Sequence, residues 1–195
     1  MKKKNAVGAL VMAVMILVSV PLGANRSFDR LREEALGAYY YDNTGYGIWE
    51  GLDKQEETAR NLLTVAERYK ESNPELGSYI DDLTYHADRC ERLFDNGTLE
   101  DVEYHQALCR SAEKLAEKLE SLTLEEKDEK YPRQLLSLMQ SEQDKVERSS
   151  YNDGAREYNQ RLERFLLPLK NLGWNRPLGV FGESVTADVI EQSAD

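Results

Sequence analysis

Leu76-Gly77-Ser78-Tyr79-Ile80-Asp81-Asp82-Leu83-Thr84-Tyr85-His86-Ala87-Asp88-Arg89-Cys90-Glu91-Arg92-Leu93-Phe94 decides the fold. Leu76, Ile80, Leu83, Ala87, Cys90 and Phe94 fall alternately four and three residues apart, the period of one helix face, with polar and charged residues between them. A strand would alternate at every second residue, and this stretch does not. Asn96-Gly97 then supplies a turn, and Leu108, Ala112, Leu115, Leu119 and Leu122 repeat the spacing beyond it. Two such stripes joined by a short turn predict an antiparallel helical hairpin, each stripe a seam for a neighbouring helix.

Moving outward, Leu52, Ala59, Leu62, Ala66 and Tyr69 mark a helix from about Ile48 to Ser72, stopped by Asn73-Pro74. Upstream, Phe28, Leu31, Ala35 and Ala38 mark another, with Ser27 as its predicted cap and Asp29 near its positive end. Tyr39-Tyr40-Tyr41-Asp42-Asn43-Thr44-Gly45-Tyr46-Gly47 interrupts the two. Its Asn and Gly residues supply turns, and its aromatics either pack at a bundle end or line a ligand groove.

Downstream, the pattern predicts one long helix from Glu129–Pro132 to just before Pro168. At 1.5 Å per residue it would be about 55 Å long, making the bundle elongated. Its ends are apolar, but between Ser141 and Ser150 only Val146 is hydrophobic. Gly154 inside a helix costs about 1 kcal/mol relative to Ala, which implies that another backbone passes close by. Gly173-Trp174-Asn175-Arg176-Pro177 reads as irregular and Glu183–Asp195 as a loose acidic end. The expected fold is therefore all-α: an elongated antiparallel helical bundle over residues 27–168, followed by an irregular acidic tail over 169–195.

Residues 1–24 are of another kind. Lys2, Lys3 and Lys4 precede an uncharged run, Ala6–Ala24. A bilayer-spanning helix needs about 20 such residues. With lysines held on the cytoplasmic side, residues 6–24 would anchor the chain in the lipid bilayer as a single-pass transmembrane helix and place the bundle outside the cytoplasm. Pro21-Leu22-Gly23-Ala24 leaves open a signal peptide cleaved near Ala24 and a secreted bundle, although Leu22 is bulky where a small residue is usual.

The net charge of -11, with 36 acidic against 25 basic residues, excludes a phosphate-binding surface and hence a nucleic-acid partner. Setting the three leading lysines aside leaves the remainder more acidic still. Nothing resembles Gly-x-Ser-x-Gly, His-Glu-x-x-His or a phosphate-cradling glycine loop. A di-iron bundle needs Glu-x-x-His pairs, but Leu83 and Val102 stand at that spacing before His86 and His105. No catalytic residue and no cofactor is expected.

Two cysteines and two histidines share the central hairpin. His86 and Cys90 are one helical turn apart, as are His105 and Cys109, and both cross pairs centre on the Asp95–Thr98 turn. That registry lets the four present a tetrahedral zinc site. The alternatives are reduced packing residues or a Cys90–Cys109 disulfide, which the same registry offsets by about a turn.

Late in the chain stands Tyr151-Asn152-Asp153-Gly154-Ala155-Arg156-Glu157-Tyr158-Asn159. Seven-residue spacing puts Tyr151 and Tyr158 on one face with Asn152 and Asn159 beside them, where the asparagines would bond to a neighbouring helix and fix its register. With Phe165 and Pro168 beyond it, and Ala59–Tyr69 upstream, the motif resembles the LemA family over roughly Leu31 to Phe165. Two departures stand out: Leu166-Leu167 separate the Phe and Pro that such proteins commonly join, and Gly45–Gly51 looks like an insertion. The resemblance implies a membrane-anchored antiparallel bundle and no established enzymatic activity. The expected function is an interaction or scaffold module of the cell envelope with an envelope-protein partner. The alternative is a small-ligand sensor using Tyr39–Trp49 and the polar middle of the last helix.

Overall fold

The computed structural model describes residues 12, 15, 19, 23, 26–41, 45–93, 97–165 and 176–182. Among them the chain is helical in six segments and contains no strand: α1 (26–40), α2 (Ile48–Glu67), α3 (Leu76–Leu93), α4 (Leu99–Glu120), α5 (Tyr131–Glu147) and α6 (Ser150–Phe165). Residues 12, 15, 19 and 23 are also helical. The remainder of the expected anchor at 6–24, the turn residues 94–96, residues 166–175 and the acidic end 183–195 lie outside the described residues. Among the described residues no helix is long and apolar enough to cross a membrane.

The central stripes behave as their spacing demands. Leu76, Ile80, Leu83, Ala87 and Cys90 of α3 and Leu108, Ala112, Leu115 and Leu119 of α4 are buried against each other and against Leu52, Ala59 and Leu62 of α2. Burying a leucine contributes about 1.5–3 kcal/mol, so these seams dominate the packing. Cross-links fix the directions. Ser111 donates to Asp82 at 2.7 Å and Lys118 pairs with Glu75 at 2.6 Å, so α3 and α4 are antiparallel. Arg68 reaches Asp128 at 2.8 Å while Gln55 meets Gln143 at 3.1 Å, so α2 and α5 are antiparallel too. Phe28 stacks edge-on to Tyr158 and Tyr39 to Tyr151, so α1 runs antiparallel to α6.

Local chemistry sets the helix ends. Thr98 and Asp101 form a reciprocal capping box at the start of α4. The end of α2 tightens, with Arg68 and Tyr69 donating three residues back, so the helix stops at Glu67 rather than at Ser72. Gly47 precedes α2 where any Cβ would run into the carbonyls of Tyr39 and Tyr40, so only glycine lets the chain fold back this sharply.

Two further expectations fail. Arg26 is already helical, so Ser27 sits within the first helix and does not cap it. The single long terminal helix is broken at Arg148-Ser149 into α5 and α6, each about 25 Å long. The break has a cause. Asn152 Nδ2 donates to Val146 O at 2.8 Å, taking a carbonyl that a continuing helix would satisfy itself, and Ser149 Oγ accepts from Tyr151 N at 3.3 Å as a new cap. Gly154, by contrast, does what its position implies: a Cβ there would lie 3.2 Å from Ala35 Cβ and 3.3 Å from Ala35 Cα.

Candidate functional site

Of the Tyr-Asn pairs, Asn152 bonds to the neighbouring helix as expected, at Val146 O and Glu147 O of α5, but the main work of both asparagines lies elsewhere. They hold a piece of the tail, residues 176–182, which runs antiparallel to α6 and turns at Phe181-Gly182. Asn159 Nδ2 donates to Leu178 O at 2.7 Å while Asn159 Oδ1 accepts from Leu178 N at 2.8 Å. One level along, Asn152 Nδ2 donates to Phe181 O at 3.0 Å and Asn152 Oδ1 accepts from Phe181 N at 2.9 Å. Each side-chain amide thus closes a two-bond ring with one backbone residue. The spacing follows from chain geometry. Seven helical residues rise about 10.5 Å, and three extended residues span about 10 Å.

Tyr151 and glycine complete the seat. The Tyr151 hydroxyl lies 3.0 Å from both Gly97 O and Gly179 O, sharing its one hydrogen between them. Gly179 N donates to Gly97 O at 2.8 Å. Gly97, at φ +60, has no room for a Cβ beneath the Tyr151 hydroxyl, and at Gly179 a Cβ would overlap Thr98 O and Val102. The Phe181 ring enters a nest formed by His105 at 5.6 Å, Tyr151 at 6.0 Å and Tyr39 at 6.3 Å between centroids. Leu178 and Phe181 are buried, so this part of the predicted irregular tail is packed into the bundle. Its sequence signal was Leu178-Gly179-Val180-Phe181-Gly182, apolar residues set between glycines at a polar end of the chain.

The two tyrosines of the motif differ. Tyr151 makes the bonds above, whereas the Tyr158 hydroxyl is buried without a hydrogen-bond partner among the described residues. Tyr151→Phe is therefore expected to cost about 1 kcal/mol and Tyr158→Phe to be neutral or slightly stabilising, as read by urea denaturation. Equal losses at both positions would contradict the arrangement.

Behind Phe181 lies a buried polar network. His105 Nε2 is 2.7 Å from Gln55 Oε1, and Gln55 Nε2 donates to Met139 O at 3.0 Å and Gln143 Oε1 at 3.1 Å. Burial lowers His105 to about 4, so its imidazole is neutral. Cys109 Sγ lies 3.8 Å from His105 Nε2. His86 turns the other way, to Asp82 at 3.6 Å. The four hairpin residues thus do not converge, and among the described residues no group of three or more His, Cys, Asp or Glu side chains is placed to hold a metal ion. Cys90 and Cys109 are both free thiols. Burial pushes Cys109 up to about 12 and raises Cys90 as well. Neither is expected to react with iodoacetamide in the folded protein at pH 8, and both should label once urea unfolds it. Rapid native labelling would show an open hairpin.

The tyrosine-rich turn and the polar middle of the terminal helices do meet, but they satisfy each other. Tyr46 donates to Glu142 at 2.9 Å, and Lys54 and Lys145 lie 5.6 and 5.7 Å from its ring centroid. A groove of about 1230 Å³ lies elsewhere, between the end of α4 and the start of α5, with Leu119, Leu122, Leu124 and Leu138 among its lining and Glu120, Lys130 and Arg133 at its edges. Asp128 ties down the loop beside it: burial would raise its carboxyl, but hydrogen bonds from Tyr69 and Arg68 hold it below the usual range.

Fold and site together define an all-α antiparallel bundle whose last helix clasps an extended segment of its own chain. The chain matches no protein-family model, no curated protein and no solved structure.

Proposed function

We propose that this protein is a LemA-like, membrane-anchored interaction module of the cell envelope, tethered through residues 6–24 and binding an envelope protein without performing chemistry of its own. The observation that carries the reading is where the aromatics lie. Tyr41 is 80% exposed and Tyr85 51%, with Tyr40, Trp49 and Tyr131 also on the surface, while the buried thiols and imidazole are held in unreactive forms. Tyrosine and tryptophan are enriched at protein interfaces, where a rigid ring buries area at low entropic cost. The uncharged run behind three lysines supports the tether, and the Tyr-Asn motif supports the family likeness.

Site-specific photo-crosslinking in intact cells tests this. A crosslinker at Tyr41 should trap one discrete envelope protein, and Trp49→Ser should weaken the capture. A carboxy-terminal tag should be protease-accessible from outside the cytoplasmic membrane. A tag protected until that membrane is lysed, or crosslinking indifferent to the aromatic substitutions, would overturn the reading.

A further inference from the structure

We propose that the surface formed by Tyr151, Asn152 and Asn159 of α6, with Gly97, His105 and Tyr39, is a peptide-recognition site. Its ligand is an extended segment of pattern apolar–Gly–any–aromatic–Gly, supplied in the folded chain by its own residues 178–182.

Asn159, Asn152, Tyr151 and Gly97 meet the N–H groups of residues 178, 179 and 181 and the C=O groups of the same three residues. These groups are main-chain, so any extended peptide offers them. Strand-adding peptide-binding domains divide the work likewise: main-chain bonds give affinity and pockets for alternate side chains give selectivity. Selectivity here is legible residue by residue. The first apolar position is the fully covered Leu178. The second must be glycine, because a Cβ would overlap Thr98 O and Val102 Cγ2. Val180 is half-buried and leaves its position open to other side chains. The fourth ring enters the nest of His105, Tyr151 and Tyr39. The fifth is glycine at φ +92, with Glu147 where a side chain would go.

The site is also formed independently of its occupant. Tyr39 and Tyr151 pack edge-on at 5.1 Å, His105 is fixed by Gln55, and Asn152 is fixed by Val146 O. These side chains stand on helices and are held by contacts that do not involve the tail, so that part of the seat is pre-organised, which lowers the entropic cost of binding. Residues 166–175 link α6 to the seated segment. A short tether gives a local concentration on the order of millimolar, so the tail masks the site from free peptides. The inference holds whether or not the bundle is anchored in a membrane.

The test uses the full chain carrying Gly179→Val, which clashes with Thr98 and should vacate the seat without touching its walls. A fluorescent peptide of the natural sequence Arg176–Gly182 is titrated by anisotropy. Saturable one-to-one binding is expected, with an apparent Kd at least about tenfold lower than for the unaltered chain, whose own tail competes. Adding Asn159→Ala should weaken it about fivefold, and placing Val at the second-position glycine of the peptide should abolish it. No binding to Gly179→Val at millimolar peptide, or binding indifferent to Asn159→Ala, overturns the proposal. If Gly179→Val fails to fold, a protease site placed within 169–173 of the otherwise natural chain serves instead. After cleavage the tail fragment should stay bound and exchange with free peptide, and a fragment that leaves without rebinding overturns the proposal. It fails too if light scattering shows chains pairing by tail exchange while refusing the free peptide.

Discussion

Asn152→Ala is expected to lower the unfolding free energy by about 3 kcal/mol. Asn152 is fully buried, and its amide serves four backbone groups: Val146 O at 2.8 Å, Glu147 O at 3.3 Å, Phe181 O at 3.0 Å and Phe181 N at 2.9 Å. Truncation leaves the N–H and C=O of Phe181 without their partner in a buried site, while Val146 O keeps its bond from Ser149 N at 3.2 Å, and each orphaned polar group costs about 1–3 kcal/mol. Two structural elements loosen together, because the same amide ends α5 and holds the tail. Among the described residues Asn159 bonds to Leu178 alone, and it is half-buried, so water replaces its bonds and Asn159→Ala should cost about 1 kcal/mol. Asn152→Asp separates bond donation from shape. Its carboxylate keeps the acceptor for Phe181 N but opposes the carbonyls of Val146 and Phe181, so it should be no better than alanine. Urea midpoints for the three variants decide the matter. If Asn152→Ala and Asn159→Ala lie within about 0.5 kcal/mol of each other, the double role assigned to Asn152 is wrong.

The contrast between these asparagines shows where sequence reasoning reaches and where it stops. Leu76–Cys90 and Leu108–Leu119 announce their helices because a stripe at alternating three- and four-residue spacing buries well in no other regular structure. Gly154 is equally readable: a costly residue in a helix implies a close neighbour, and Ala35 is that neighbour. The α5–α6 break was hidden because Arg148-Ser149-Ser150 contains neither Gly nor Pro, and the helix is ended by a side-chain bond from Asn152 to Val146 O that no periodic pattern announces. The tail seat was hidden for a related reason. Residues 176–182 have no periodicity of their own, and their bonds are all long-range, to α6 and to the turn before α4. Proximity in the hairpin was legible, but not direction. Single-turn spacing places His105 beside Cys109, and only packing against α2 turns His105 toward Gln55 and leaves His86 with Asp82.

His105 should make the protein acid-sensitive in a defined window. In the folded chain burial lowers its pKa to about 4, whereas an unfolded histidine titrates near 6.5. Above about pH 6.5 both states are neutral and His105 contributes no pH dependence. Between 6.5 and 4 the unfolded chain binds a proton that the folded chain refuses, so stability falls as pH falls. The total approaches about 3 kcal/mol at pH 4, from 1.36 kcal/mol per unit. His86, lowered chiefly by burial, acts with the same sign. The carboxyls of Asp128 and Glu142, held below their usual range, contribute stability that is lost lower down, as pH falls through their folded pKa values. His105→Gln isolates the imidazole, since an amide can still donate to Gln55 and cannot titrate. Unfolding free energies at pH 7.5, 6, 5 and 4 should decline less steeply for the variant, with the difference concentrated between 6.5 and 4. Because the Phe181 ring stands edge-on to the His105 ring, the same acid range should also loosen the tail, visible as faster proteolysis after Phe165. Parallel pH profiles for the two proteins would mean that His105 is solvated in the native state, and the closed polar core drawn around Gln55 would have to be abandoned.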